Sequence, residues 1–155
     1  MATHAWVNDW LAVGTHRACG EPGFELVIHI FRSDTPEQIR PDYCARVTRE
    51  VHLRMDYRDG DEIDRSNLKN LTAFVELLKA RKRKTLVHCH AGMCRSPTVA
   101  IYLLVMVDGM HPYDAHQLIT RAIYEQRGGE VCNVVYRPFK QIVRLWEANQ
   151  KLKHP

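Results

Sequence analysis

No stretch of the 155 residues approaches the 18 or more consecutive apolar positions of a membrane-spanning helix, which argues against membrane insertion. The opening ten residues, Met-Ala-Thr-His-Ala-Trp-Val-Asn-Asp-Trp, have no basic region followed by a greasy core, so they do not read as a secretory signal. A compact disulfide framework is missing too. The five cysteines, at 19, 44, 89, 94 and 132, are odd in number and scattered, which favours a reducing compartment and a cytoplasmic location. There is no internal repeat and no composition break that would mark a second domain. The formal charge of +4 fits an anionic substrate only weakly. It comes without the interleaved aromatic and basic residues of a nucleic-acid platform. What is present is a chain that is 45% hydrophobic with three Trp, enough for one domain over residues 1–155 with a proper core.

Hydrophobic periodicity divides that domain into early strands and late helices. Residues 24–31, Phe-Glu-Leu-Val-Ile-His-Ile-Phe, are too continuously apolar for a one-sided surface strand and predict an inner sheet position. Residues 47–55 alternate, with Val51, Leu53 and Met55 on one face. A polar loop follows, with a turn signal at Asp59-Gly60. Helical spacing of Leu68, Leu71, Val75 and Leu78 predicts a helix from Ile63 to about Arg83, capped by Asp64 or Ser66. The basic run Lys79 to Lys84 suits that helix's C-terminal dipole. Further helices are expected from Pro97 to Val107, from Pro112 to about Gln126, and from Val134 or Pro138 to Lys151. The whole is an α/β arrangement, a sheet with helical packing.

The chain is organised around His88-Cys89-His90-Ala91-Gly92-Met93-Cys94-Arg95-Ser96-Pro97. A short apolar strand enters this stretch and a buried helix leaves it. A strand-to-helix turn aims several backbone N–H groups at one point and forms an anion hole. Arg95 adds a planar fork of donors suited to phosphate. Cys89 sits where the helix N-terminus and loop amides favour its thiolate. Gly92 permits a backbone excursion that a side chain would obstruct. Ser96 can cap the helix, and Pro97 suits its first turn.

Cys89, five residues, Arg95 and Ser96 resemble the signature of the protein tyrosine phosphatase superfamily. The fuller string His-Cys-x-x-Gly-x-x-Arg-Ser most resembles its cysteine-dependent, dual-specificity branch. The likeness runs over residues 5–150, strongest over 85–97 and weak before 50. It implies a single-domain protein tyrosine phosphatase-like fold, a central mixed sheet flanked by helices that opens with a strand pair in residues 1–14. It further implies a phosphate-binding loop made of Cys89, His90, Ala91, Gly92, Met93, Cys94 and Arg95, with no metal and no cofactor. Ser96 would hydrogen-bond the sulfur and help the phosphoenzyme break down, its competing role being the helix cap. His88 would tune Cys89 from behind the loop, or serve as a satisfied buried histidine.

Attack by Cys89 leaves an oxygen that needs a proton, and the donor must come from elsewhere in the chain. Asp56 stands just beyond a strand, 33 residues before Cys89. The resembled branch carries its general acid at a similar place, so Asp56 is the expected acid. Asp59 and Asp61 share the loop and are the alternatives; otherwise all three are solvated turn residues. Tyr57 and Arg58 beside them either touch substrate or are simply exposed. The branch also has a comparable Arg, then Asn, before its last helix. This makes Asn133 the expected brace or cap and Arg121 a structural contact.

Zinc binding by His88, Cys89, His90 and Cys94 is disfavoured, because neighbouring strand residues face opposite ways and Arg95 would be unexplained. A Cys89–Cys94 disulfide would silence the nucleophile but needs a distorted loop. Cys44 could serve as a partner cysteine, though it lies only 12 residues before Asp56. The competing reading for Cys19, Cys44 and Cys132 is apolar packing.

His90, Met93 and Cys94 stand where many phosphoinositide-directed relatives carry lysines. At this length the chain also lacks room for the segments that deepen a strict phosphotyrosine pocket. The expected substrate is therefore a phosphorylated protein or peptide, at phosphotyrosine and at phosphoserine or phosphothreonine. Phosphoinositides, other small molecules and RNA 5′-phosphates are the alternatives with the same chemistry. A noncatalytic phosphate-binding module, or a redox protein built on Cys89 and Cys94, would be a different class.

Overall fold

The computed structural model describes residues 3–32, 51–89 and 95–154. Five strands are seen: β1 (His4–Trp6), β2 (Leu11–Gly14), β3 (Leu26–Phe31), β4 (Val51–Asp56) and β5 (Thr85–His88). They form one mixed sheet in the order β1-β2-β5-β3-β4, antiparallel between β1 and β2 and parallel elsewhere. Four α-helices follow the early strands: α1 (Arg65–Ala80), α2 (Arg95–Asp108), α3 (Pro112–Gln126) and α4 (Tyr136–Lys153). A 3-10 helix, His16–Gly20, replaces the plain turn expected after β2. Among the described residues, no helix is long and apolar enough to cross a membrane.

Strand alternation sorts the sheet into two unequal faces. Leu11, Val13, Leu26, Ile28, Ile30, Met55, Val87 and Cys89 join all four helices in the main core. The opposite face is covered by a smaller cluster of Ala12, Ala18, Cys19, Phe24, Val27 and Leu86 beneath the 3-10 helix. Gly14 is what lets that helix sit down. A Cβ there would lie 2.9 Å from Ala18 Cβ and 2.9 Å from the Thr3 carbonyl oxygen.

The central β5 is buried at all four positions, and α2 is buried continuously from Arg95 to Val105. A helix apolar all round belongs inside, and here it packs on β5, β2 and the three other helices. Asp64 caps α1, its side chain accepting from the Asn67 N–H at 3.1 Å. Two expectations need correction. Helix α2 begins at Arg95, so Ser96 lies inside its first turn rather than capping it. Helix α4 begins after Val135 with no side-chain cap, and Asn133 is exposed two residues earlier, so it does not cap that helix. The expected strand start at 47–50 and loop at 33–41 lie outside the described residues.

Candidate active site

β5 delivers Cys89 and α2 returns Arg95 and Ser96. His90, Ala91, Gly92, Met93 and Cys94 lie between them, outside the described residues. Cys89 is a free thiol, 2% exposed, so it is not held in a disulfide with Cys94. Its Sγ lies 3.4 Å from Ser96 Oγ, and both are buried. With Cys89 as thiolate the hydroxyl is the only possible donor of that pair. Ser96 therefore turns its side chain to the sulfur from within the helix, the second of the two roles that its position allowed.

Arg95 is buried as well, at 6% exposure. Its Nε donates to Asp59 Oδ1 at 3.0 Å, and its Nη1 donates to the Tyr57 carbonyl oxygen at 3.4 Å. The guanidinium thus gathers the loop between β4 and α1 to the start of α2. Arg58 and Asp61 close a turn, with the Asp61 N–H donating to the Arg58 carbonyl at 3.3 Å. Gly60 takes φ +84° within that turn, a value that suits glycine. Both ends of the loop are tied. Tyr57 is buried, and its hydroxyl donates to the Asp61 carbonyl at 2.7 Å. Burial, with Asp59 and Asp61 nearby, pushes the Tyr57 phenol well above its ordinary pKa, so it stays neutral. Tyr57 is therefore a loop anchor and not the exposed residue that a polar loop suggests. At the far end, Gln141 of α4 exchanges two hydrogen bonds with the Ile63 backbone, each 2.8 Å.

Of the three loop aspartates, Asp59 is the one seen in ionic contact with Arg95. Asp56 ends β4, paired with Phe31, and its carbonyl accepts from Asn67 Nδ2 at 3.1 Å. With Tyr57, Arg58, Asp61, Glu62 and Asn67 it lines a cavity of about 240 Å³. Arg121 lies on α3 in the wall of another cavity with Tyr113, His116 and Glu130.

Behind the nucleophile, on the opposite sheet face, is a group the sequence reading did not find. His88 pairs with His29 across the parallel β5–β3 ladder. His88 Nε2 and His29 Nδ1 are 2.7 Å apart, their rings nearly perpendicular at 87°. His29 Nε2 in turn hydrogen-bonds Nδ1 of the exposed His52, the two rings within 14° of parallel. Burial lowers His29 from 6.5 to about 3, helped by His88, His52 and Arg54. Burial lowers His88 to about 4, against a hydrogen bond to the Cys89 backbone that raises it. The signal available in the sequence was a lone histidine in the middle of the apolar run 24–31.

Cys19, His29 and His88 place three potential metal-ligand atoms within 4.8 Å of one another. Cys19, however, is disulfide-bonded, which corrects the expectation that it merely packs and removes its thiolate as a ligand.

Comparison with known proteins agrees with this geometry. The model of the family described as dual specificity phosphatase, catalytic domain, matches residues 19–148. Human DUSP28 is 19% identical, with 97% of each chain covered and a TM-score of 0.69. The human tyrosine phosphatase-like serine/threonine/tyrosine-interacting protein is 18% identical, covering 96% of this chain and 97% of that one at a TM-score of 0.73. PTPMT1 in complex with PI(5)P is 15% identical, covering 98% of this chain and 99% of that one at a TM-score of 0.69. At these identities the structural likeness is one of fold. No curated protein sequence matches the chain. The family match over most of the chain shows that it belongs to the dual-specificity phosphatases of the protein tyrosine phosphatase superfamily, as a cysteine-dependent phosphatase.

Proposed function

We propose that this phosphatase hydrolyses phosphotyrosine and phosphoserine or phosphothreonine in proteins through a cysteinyl-phosphate intermediate. The observation that carries the mechanism is the convergence of Cys89, Ser96, Arg95 and Asp59 at the C-terminal end of β5. Cys89 thiolate attacks phosphorus in line while Arg95 and the loop amides stabilise the equatorial oxygens. The arriving phosphate competes with Asp59 for one guanidinium, and this frees the carboxyl for the leaving oxygen. Asp59 protonates that oxygen, then as a base activates the water that cleaves the cysteinyl phosphate. Asp56, the acid expected from sequence separation, is the competing assignment, and nearness to Arg95 favours Asp59. Ser96 stabilises the sulfur as it leaves.

The last role has a specific consequence. Ser96→Ala should lower kcat about tenfold with little change in KM, because loss of one neutral donor to an ionised partner acts on breakdown of the intermediate. A burst of leaving group ahead of steady turnover would report the accumulating phosphoenzyme. Equal losses in the burst and steady phases would count against this role.

For the substrate class, the absence of lysine at His90, Met93 and Cys94 supports protein over phosphoinositide. A panel of phosphopeptides, phosphoinositides and 5′-phosphorylated RNA, with Cys89→Ser as the blank, decides it. We expect phosphopeptide turnover, with phosphotyrosine and phosphoserine peptides both processed, to exceed the other classes. Preferential release from phosphoinositide or RNA would replace the proposal with that alternative.

A further inference from the structure

We propose that His29, backed by His52, is a positioning residue that holds His88 in one tautomer and so fixes the Cys89 backbone beneath the bound phosphate. The argument rests on the donor accounting of a chain of three rings. A neutral imidazole has one N–H donor and one bare nitrogen acceptor. The hydrogen bond between the His88 ring and the Cys89 backbone favours the protonated ring, so the backbone group is the carbonyl and the ring is the donor. The nitrogen committed to this contact is Nδ1, because Nε2 faces His29 at 2.7 Å. His88 Nε2 must then accept, and His29 Nδ1 must donate. A sulfur that accepts from the same N–H agrees with this, and Cys19 Sγ lies 3.5 Å from His29 Nδ1 with no S–H of its own. His29 Nε2 is left as an acceptor, which His52 Nδ1–H satisfies. Every donor in the chain therefore points inward, from the exposed His52 to the peptide of the nucleophile.

The surroundings keep this arrangement neutral. Arg54, His52 and His88 all oppose a positive charge on His29, and His16 and His52 oppose one on His88. Adding a proton to either buried ring would set N–H against N–H across the 2.7 Å contact. Removing the His29 donor has the opposite fault. His88 is then free to carry its proton on Nε2, which releases the Cys89 carbonyl. The peptide can then rotate and take Sγ away from Ser96. The proposal deepens the catalytic reading above and rests on Cys89 being the nucleophile.

The test compares His29→Asn with His29→Gln, two amides of similar polarity. Asparagine places its N–H near the position of Nδ1, whereas glutamine places its own near Nε2. Alkylation of Cys89 by iodoacetamide, followed across pH by mass spectrometry of the Cys89 peptide, reads the thiolate without requiring turnover. It separates failure of this proposal from failure of the phosphatase assignment. We expect His29→Gln to move the alkylation midpoint up by about one pH unit. It should also lower kcat about tenfold with KM within about twofold, the scale of losses when a partner that orients an imidazole is removed. His29→Asn should keep the wild-type midpoint and kcat, and His52→Phe should fall between. Identical profiles for the two amides would overturn the positioning role, whether both match the wild type or both are equally impaired. Stoichiometric zinc uptake by the wild type that is lost in His29→Asn would overturn it in favour of a metal site.

Discussion

Cys89→Ser will reduce phosphate release from an aryl phosphate to the background of the assay, a loss of about 10⁴-fold or more. The site is built around a sulfur. A buried Sγ that faces Ser96 and the first turn of α2 is held as a thiolate by donors that already point at it. A serine hydroxyl in the same place keeps its proton, and no base is seen beside Cys89 to remove it. Arg95 and its partners are untouched by the change. Phosphate binding should therefore survive, and the loss should fall on kcat rather than on affinity. A competition assay with inorganic phosphate against the alkylating reagent, run on the wild type, measures that affinity. Its counterpart on the mutant is direct calorimetry. Residual metal-independent turnover in Cys89→Ser would sink the nucleophile assignment.

Asp59→Asn should lower kcat on a phosphoserine peptide by about 10²–10³-fold, whereas Asp56→Asn should change it by less than about tenfold. The size should depend on the leaving group. A nitrophenolate departs readily without a proton, so an activated aryl ester should suffer much less than an alkyl ester of serine. The pH profile gives a second sign. A general acid works in its protonated form, so its ionisation makes wild-type activity fall as pH rises. Asp59→Asn removes that alkaline limb and leaves the acidic limb, which belongs to the thiolate. Should Asp56→Asn instead flatten the alkaline limb while Asp59→Asn keeps it, the proton donor is Asp56 and the ionic contact with Arg95 is only a loop anchor.

These assignments show how unevenly the site could be read from the chain. Cys89, Arg95 and Ser96 were legible because they lie within eight consecutive residues, where the order of the side chains is itself the geometry. The aspartate was half legible. Its loop followed from the change of period after β4, but the choice between Asp56 and Asp59 depends on a turn. Gly60 turns the loop and Tyr57 anchors it, and together they bring Asp59 onto Arg95. Separation along the chain carries no such information. His29 was illegible as a functional residue, since its partner is 59 positions away and becomes a neighbour only through the parallel ladder. Asn133 failed for a simpler reason: a cap is defined by where the helix starts, and α4 starts two residues later than that role needs. The elements themselves followed well from period and punctuation, Pro112 and Asp64 above all. The order of strands did not, because nothing local says that the last strand lies in the middle.

That late central strand has a consequence for how the molecule forms. β1 pairs with β2 and β3 with β4, but β2 and β3 have no ladder between them. Each half keeps a hydrogen-bonding edge open until Thr85–His88 slides in and joins Leu11 on one side to Leu26 on the other. A chain emerging from a ribosome must therefore hold two incomplete β-ribbons apart while α1 is made. These open edges are the natural sites for mispairing, and closure over so many residues is slow. The strand that completes the sheet also carries the nucleophile at its end. The enzyme consequently has no route to an active but half-folded form, and recovery of activity after dilution from denaturant should report the closing of the sheet itself.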